Sequence, residues 1–335
     1  MTTIKVLKIV EDVSPDALAD IIDHAAEPVL LRGAVSNWPV VRAAQRSLAE
    51  LDTYLRSFYR DASVGVFYGP PEIHGRFFYN EDLTGLNFEQ SRQKLDSVLD
   101  SLKAHWNDEN PPTYYVGATT VDNCLPGFRE ENDLDFGDID PLASVWIGNS
   151  NRVAAHWDLP DNIACVLAGR RRFTLFPPDQ IENLYVGPID FTPAGQQISL
   201  VDFHKPDLQR FPRFSAALER AIVVDMMPGD ALFVPSMWWH HVESFGSMNV
   251  LLNYWWRKSP AYMGTPADVL HHALLSIRDL PAEQKRAWAG IFEHYIFSDN
   301  ESLEHIPEQS RGSLGVLDDS MARKLRARLL NRLNR

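Results

Sequence analysis

Between residues 144 and 256 the chain is a succession of short apolar, β-branched and aromatic segments separated by turn residues. They are Ser144–Gly148, Val153–Asp158, Ile163–Leu167, Arg171–Phe176, Ala231–Val234 and Val250–Trp256. Segments of this length with this punctuation predict an antiparallel sandwich or barrel. Met227-Pro228-Gly229-Asp230 is a tight turn feeding one of them. The stretch 177–215 is rich in Pro and Asp and reads as one long connection, of the kind that often carries function.

Helical patterns bracket this region. Towards the N-terminus, Ser14-Pro15 reads as N-cap and first-turn proline ahead of Leu18, Ile21 and Ile22. Ser47 with Glu50 forms a capping-box pattern ahead of Leu51, Leu55 and Phe58, and residues 88–106 read as a third, polar-faced helix. Pro28–Arg32 and Ser63–Tyr68 read as extended pieces. Towards the C-terminus, Thr265-Pro266 starts a helix carrying Val269, Leu270, Leu274 and Ile277, and a second follows Pro281. A final helix from Ser320 places Leu325, Leu329 and Leu333 at i, i+4 and i+8, with Arg and Lys on its other faces. The expected organisation is a flanking region over 1–110, a β core over 111–258 and C-terminal helices over 259–335.

Charge and cysteine usage narrow the setting. The net charge is −13, and six Lys/Arg with no acid fall within residues 321–335, so the rest of the chain is more acidic still. Such a body repels phosphate backbones and anionic lipid, which argues against DNA and membrane as partners. With 45% hydrophobic residues the chain has ample material for a packed core. Its two cysteines, Cys124 and Cys165, make neither a disulfide framework nor a Cys-x-x-Cys pair. The first residues lack a secretory signal pattern, and no apolar run approaches the roughly 18 residues of a membrane span. The expected setting is cytoplasmic.

Within the β region, His156 and Asp158 are two apart. In a strand, residues i and i+2 share a face, so an imidazole and a carboxylate aim at one point. A third ligand is available in Trp238-Trp239-His240-His241-Val242-Glu243-Ser244. His240 shares its face with Trp238 and Val242, both apolar, whereas His241 shares its face with Trp239 and Glu243. A barrel interior takes the first set, so His240 is the expected ligand and His241 the runner-up. Two histidines and a carboxylate make the facial set that leaves positions open on Fe(II). Arg171 lies on the apolar face of its segment with Phe173 and Leu175, where a cation is costly unless an anion meets it. A bound dicarboxylate and a distant Asp or Glu are both candidates. Asn162 and Asn253 are likewise polar residues inside apolar strands.

The stretches His156-Trp157-Asp158, Phe176-Pro177-Pro178-Asp179-Gln180, Val201-Asp202-Phe203, Arg210-Phe211-Pro212, Pro228-Gly229-Asp230, Trp238 to Ser244 and Asn253-Tyr254-Trp255 occur in an order and spacing that resemble the cupin-like JmjC family of Fe(II)/2-oxoglutarate oxygenases, most closely its asparaginyl-hydroxylase branch. The resemblance implies a double-stranded β-helix (jelly-roll) core with flanking helices. It implies metal ligands at His156, Asp158 and His240, co-substrate contacts at Tyr115, Asn162, Arg171 and Asn253, and Trp255 beside them. The implied cofactors are Fe(II), 2-oxoglutarate and O2, with succinate and CO2 as co-products, and the implied partners are a protein or peptide substrate and a second copy paired through the C-terminal helices. Two positions depart from the family pattern. Arg171 stands where the family relative has lysine, and a guanidinium holds a carboxylate bidentately but needs more room. Val153 stands where the relative has a threonine hydroxyl. The aromatic residues Trp238, Trp239, Trp255, Trp256, Phe77 and Phe78 are candidate walls of a substrate groove. An oxygenase acting on a small molecule or RNA, and a non-catalytic metal-binding cupin, are the alternative readings.

Overall fold

The computed structural model describes residues 7–11, 13–193, 195–298 and 303–334. Most of the leading stretch read for a secretory signal, and Arg335 of the basic tail, lie outside the described residues.

Twelve strands are described. They run as β1 (Lys8–Glu11), β2 (Val29–Arg32), β3 (Ser63–Gly69), β4 (Arg76–Phe77), β5 (Glu89–Lys94) and β6 (Thr113–Thr120). Then follow β7 (Leu142–Gly148), β8 (Asn151–His156), β9 (Asp161–Phe176), β10 (Ile222–Met226), β11 (Ala231–Val234) and β12 (Trp239–Trp256). β9 and β12 pair antiparallel from end to end, and both bend midway: the register shifts between Phe245 and Val250 of β12, opposite Gly169 of β9. The bend splits the pairing into two layers. The first half of β9 and the second half of β12 lie between β11 and β7, in the order β1-β2-β11-β9-β12-β7-β6-β3-β5. Their other halves lie between β10 and β8, with β4 beyond β8. This is the expected jelly roll, mainly β with flanking helices.

Strand period 2 then sorts the side chains. Ala164, Val166, Leu251, Phe173, Leu175 and Val242 meet between the layers. Their neighbours Ile163, Cys165, Leu167, Val250, Leu252 and Tyr254 face the other way, into a larger core with α1 (Pro15–His24), α2 (Pro39–Arg46), α3 (Leu48–Phe58), α4 (Leu95–Ala104) and α5 (Val121–Cys124). A sixth helix, α6 (Phe214–Arg220), packs Phe214 against Phe176 and Trp239 on the outer side of the β8/β10 layer.

Three local expectations are corrected. Residues 88–106 are not one polar-faced helix: 89–94 pair with β3, and α4 buries Leu95, Val98, Leu99 and Leu102. Ser47 caps α3 through the Glu50 N–H, but the Glu50 carboxylate pairs with Arg46 instead of closing the box. The segments 163–167 and 171–176 are one strand, because Gly169 turns the chain without ending it. Its φ is +74°, and a Cβ there would lie 2.0 Å from Asn249 Oδ1 and 3.0 Å from the Met248 carbonyl oxygen.

The contacts divide the chain into two compact units, Met1–Arg257 and Lys258–Arg335. The second contains α7 (Pro266–Ser276), α8 (Ala282–Phe292) with a following π turn, and α9 (Asp319–Leu333). Thr265 and Asp318 cap α7 and α9 through their side chains. α7 and α8 bury no residue, and α9 buries only Ala322. Among the described residues no helix is long and apolar enough to cross a membrane.

Gly169 stands at the bend between the two layers. We expect Gly169→Ala to lower stability by about 1–3 kcal/mol through left-handed strain, read as a lower urea midpoint with an unchanged slope.

Candidate metal centre and adjoining cavity

His156 ends β8, Asp158 follows in the unpaired segment beyond it, and His240 stands opposite His156 on β12. One ligand atom from each lies within 4.8 Å of the other two. The His240 Nε2 is 3.7 Å from the Asp158 carboxylate, and the two imidazole rings are 4.3 Å apart between centroids. Each Nδ1 faces a backbone carbonyl two residues back: His156 to Ala154 at 2.9 Å and His240 to Trp238 at 3.0 Å. A carbonyl only accepts, so Nδ1 carries the proton in both rings. Both Nε2 lone pairs are then left for a metal. His240 is buried, and burial first, then the neighbouring His156, lowers its pKa to about 4, so it stays neutral and ligating.

His241 faces the other way. Its ring packs on Phe203, 4.5 Å between centroids, and burial first, then His204 and Arg152, pushes it down to about 3. Face alternation along β12 thus separates the two histidines as expected. It fails on β8, where Val242 pairs with Val153 but His240 pairs with His156. Ala154 and Ala155 of β8 together oppose the single residue His241 of β12, and this bulge turns Val153 and His156 to the same side.

The three residues line a cavity of about 510 Å³ between the layers. Arg171, Asn162, Asn253, Tyr115 and Trp255 line it too, so every site residue expected from the sequence converges here. Arg171 is 1% exposed, and its Nε and Nη2 have no hydrogen-bond partner. Burial lowers its pKa, opposed by the facing Tyr115 hydroxyl. Burial raises Tyr115 to about 12, so that hydroxyl keeps its proton. Asn253 Nδ2 donates to Asn162 Oδ1 at 2.7 Å, while Asn253 Oδ1 and Trp255 Nε1 have no partner. Along β9, Arg171 is four residues from Leu175, the partner of His240. That separation is about 13 Å of strand.

Unpaired buried donors cost about 1–3 kcal/mol each, more when charged. A cavity with two guanidinium nitrogens and an indole N–H unpaired therefore suits an anion. Two imidazoles and one carboxylate, with the remaining side open to the cavity, are a donor set for a divalent metal such as Fe(II). These residues fit both a metal and an anionic co-substrate.

Of the six aromatic candidates, Phe77 and Trp255 line the cavity. Trp238, Trp239, Trp256 and Phe78 pack in the cores instead. Phe67, Gln90, Trp146 and Thr192 line it without having been singled out. They come from β3, β5, β7 and the long 177–213 connection, and no motif marks them. Period 2 on β7, which puts Trp146 opposite to Val145 and Ile147, was the one usable signal.

A jelly roll with a His-x-Asp pair and a distal histidine at one cavity defines a cupin-type metal site. The chain belongs to the cupin-like, JmjC-type family: the profile described as "Cupin-like domain" matches residues 16–262. Among the relatives it resembles, "Lysine-specific demethylase JMJ31" of Arabidopsis thaliana is 32% identical over 154 residues, 46% of this chain and 26% of that protein. "HSPB1-associated protein 1" of Bos taurus is 36% identical over 270 residues, 74% of this chain and 52% of that protein. "tRNA wybutosine-synthesizing protein 5" of Gallus gallus is 29% identical over 303 residues, 78% of this chain and 85% of that protein. The chain thus spans about half or less of the first two and most of the third.

The buried neutral histidines set a pH dependence. Below about 6.5 an unfolded histidine takes up a proton, whereas folded His240 and His241 stay neutral down to about 4 and about 3. The unfolded state then binds more protons, so stability falls as pH drops. We expect the melting temperature of the chelator-treated protein to decline already between about pH 6.5 and 5, above the range in which aspartates titrate. A flat profile there contradicts the buried neutral state.

Proposed function

We propose that the chain is an Fe(II)- and 2-oxoglutarate-dependent oxygenase that hydroxylates a side chain of a protein or peptide. The observation that carries this reading is the buried Arg171 guanidinium, its Nε and Nη2 without a partner, in the same cavity as the His156/Asp158/His240 cluster. Bound iron supplies oxidation by O2 coupled to decarboxylation of 2-oxoglutarate, with succinate and CO2 as co-products.

The protein's part is positioning. His156, Asp158 and His240 would hold the metal from one side through two imidazoles and one carboxylate. Arg171 and the protonated Tyr115 hydroxyl receive the far carboxylate of the co-substrate, the guanidinium bidentately. The Asn162–Asn253 amide pair and the Trp255 N–H provide the remaining polar contacts. Val153 contributes no hydroxyl, so Arg171 bears more of the co-substrate's recognition. Phe77, Tyr115, Trp146 and Trp255 form a continuous aromatic wall, neighbouring rings 5.6 to 6.0 Å apart, that keeps water from the reacting side.

A protein or peptide substrate is supported by the acidic body, which repels an RNA backbone. Similarity to the tRNA wybutosine-synthesizing protein is the observation for a second reading, an oxygenase on RNA. The buried thiols Cys124 and Cys165, neither in a disulfide, agree with a reducing, cytoplasmic setting.

The test is succinate release from 2-oxoglutarate after anaerobic Fe(II) loading and admission of air. Slow turnover lost in Asp158→Ala is the expected result, and tight metal binding without 2-oxoglutarate binding points to a non-catalytic cupin. Arg171→Leu should weaken 2-oxoglutarate binding about tenfold or more, the worth of a charged hydrogen-bond pair, and leave metal affinity within about twofold by the same reasoning.

The same reading includes a homodimer through the C-terminal helices. Trp288, Ile291, Phe297, Leu329 and Leu333 are exposed on a unit that buries few residues of its own, and helices of this length are marginal without packing. Removing residues 320–335 should give a monomer by light scattering, against a dimer for the full chain.

A further inference from the structure

Asp158 is the least supported of the three ligands. It sits beyond the end of β8, in the segment 157–160 that has no ladder partner, and its side chain is 22% exposed. What holds it is the turn between β11 and β12. The Met237 N–H donates to the Asp158 carbonyl at 2.9 Å. The Ser236 hydroxyl donates to the Leu159 carbonyl at 2.5 Å, and the Ser236 N–H donates to the Asp161 carboxylate at 2.9 Å. One two-residue piece thus grips two points of the segment that presents Asp158 and the first residue of β9 beyond it.

The same turn leads directly into His240. The Trp238 N–H closes it on the Pro235 carbonyl at 3.2 Å, and the Trp238 carbonyl receives the His240 Nδ1 proton. Met237 takes a left-handed conformation, φ +67°, without being glycine, a strain that persists only where surrounding bonds over-determine it. Those bonds are the ones just described.

We infer that Ser236 is a positioning residue for the metal centre: its hydroxyl locks the Asp158 segment to the turn that leads into the strand carrying His240, and so fixes the separation of a ligand on β12 from one beyond the end of β8. The inference rests on reading His156, Asp158 and His240 as metal ligands. Without the hydroxyl, the segment keeps the Met237 N–H bond to the Asp158 carbonyl, and the Ser236 N–H bond to Asp161 holds the start of β9 beyond it. The segment gains freedom to rock about them, so the carboxylate samples positions off the metal.

Co(II) titration of the purified full chain, followed by visible absorption, reads affinity without turnover. Ser236→Ala should bind Co(II) about tenfold more weakly, the scale on which groups that orient ligands act, and Ser236→Thr should restore affinity. Ser247→Ala is the control, since Ser247 makes the same kind of bond, hydroxyl to the Trp106 carbonyl at 2.6 Å, at the bend of β12. It should match Ser236→Ala in melting temperature and the unaltered chain in Co(II) affinity. Equal Co(II) affinity in Ser236→Ala and the unaltered chain, or equal weakening in both alanine variants, overturns the inference. Failure of the unaltered chain to bind Co(II) overturns the ligand reading itself. Should Ser236→Ala not fold, Ser236→Cys, which replaces the hydroxyl by a weak donor, takes its place with the same outcomes.

Discussion

The end-to-end pairing of β9 with β12 is the interaction on which everything else here depends. Both strands pass through both layers, so one register places residues of the two layers relative to one another. Asn162 and Arg171 ride on β9; His240, Asn253 and Trp255 ride on β12. A slip of one residue would turn each of these from the cavity to the opposite face, and would carry Val166, Phe173, Val242 and Leu251 out of the core at the same time. The apolar packing that favours the native register therefore fixes the site geometry as well. For these five residues no separate stabilisation is needed, whereas Asp158, beyond the end of β8, depends on the turn before β12.

The cavity's polar groups are held at a cost. Arg171 has lost its hydration, its Nε and Nη2 have gained no partner, and the nearest compensation is a neutral Tyr115 hydroxyl. In a low-dielectric interior such a cation is costly, and removing that cost is what an anion contributes on arrival. The neutral Asn162–Asn253 pair satisfies one amide donor and leaves one acceptor open. The candidate metal ligands are treated differently. Both imidazoles are pre-oriented by backbone carbonyls, and burial keeps that of His240 neutral, so it waits in ligating form.

How much of this is legible in the sequence follows from which interactions are local. The distinction between His240 and His241 is a matter of period 2 within one strand, and face alternation alone recovers it. The inward Arg171 is legible for the same reason. The bulge in β8 is not, because it is a mismatch between β8 and a strand far along the chain, and nothing in Val153-Ala154-Ala155-His156 announces it. Gly169-Arg170 reads as a break because glycine followed by charge resembles a turn; the pairing partner makes it a bend instead. Residues 89–94 read as helix through their polar, strand-poor composition, and an edge position beside β3 overrides it. Gln90, Thr192 and Phe67 reach the cavity from three separate elements, so only the assembled fold identifies them. The role of Ser236 is hidden likewise: its partner carbonyl belongs to a segment on another strand connection.

The β9–β12 pairing also has a consequence in time. Trp256 pairs with Asp161 and Phe176 with Trp239, so β9 must wait for the synthesis of everything between before its partner exists. At about 5–20 residues per second, that wait is on the order of ten seconds. During it, β9 offers a long apolar strand with an open edge, and β2 likewise waits for β11. Contacts this distant along the chain form slowly. A nascent chain of this design is thus most exposed to aggregation just before its last strand emerges, and its dependence on chaperones should be concentrated in that interval.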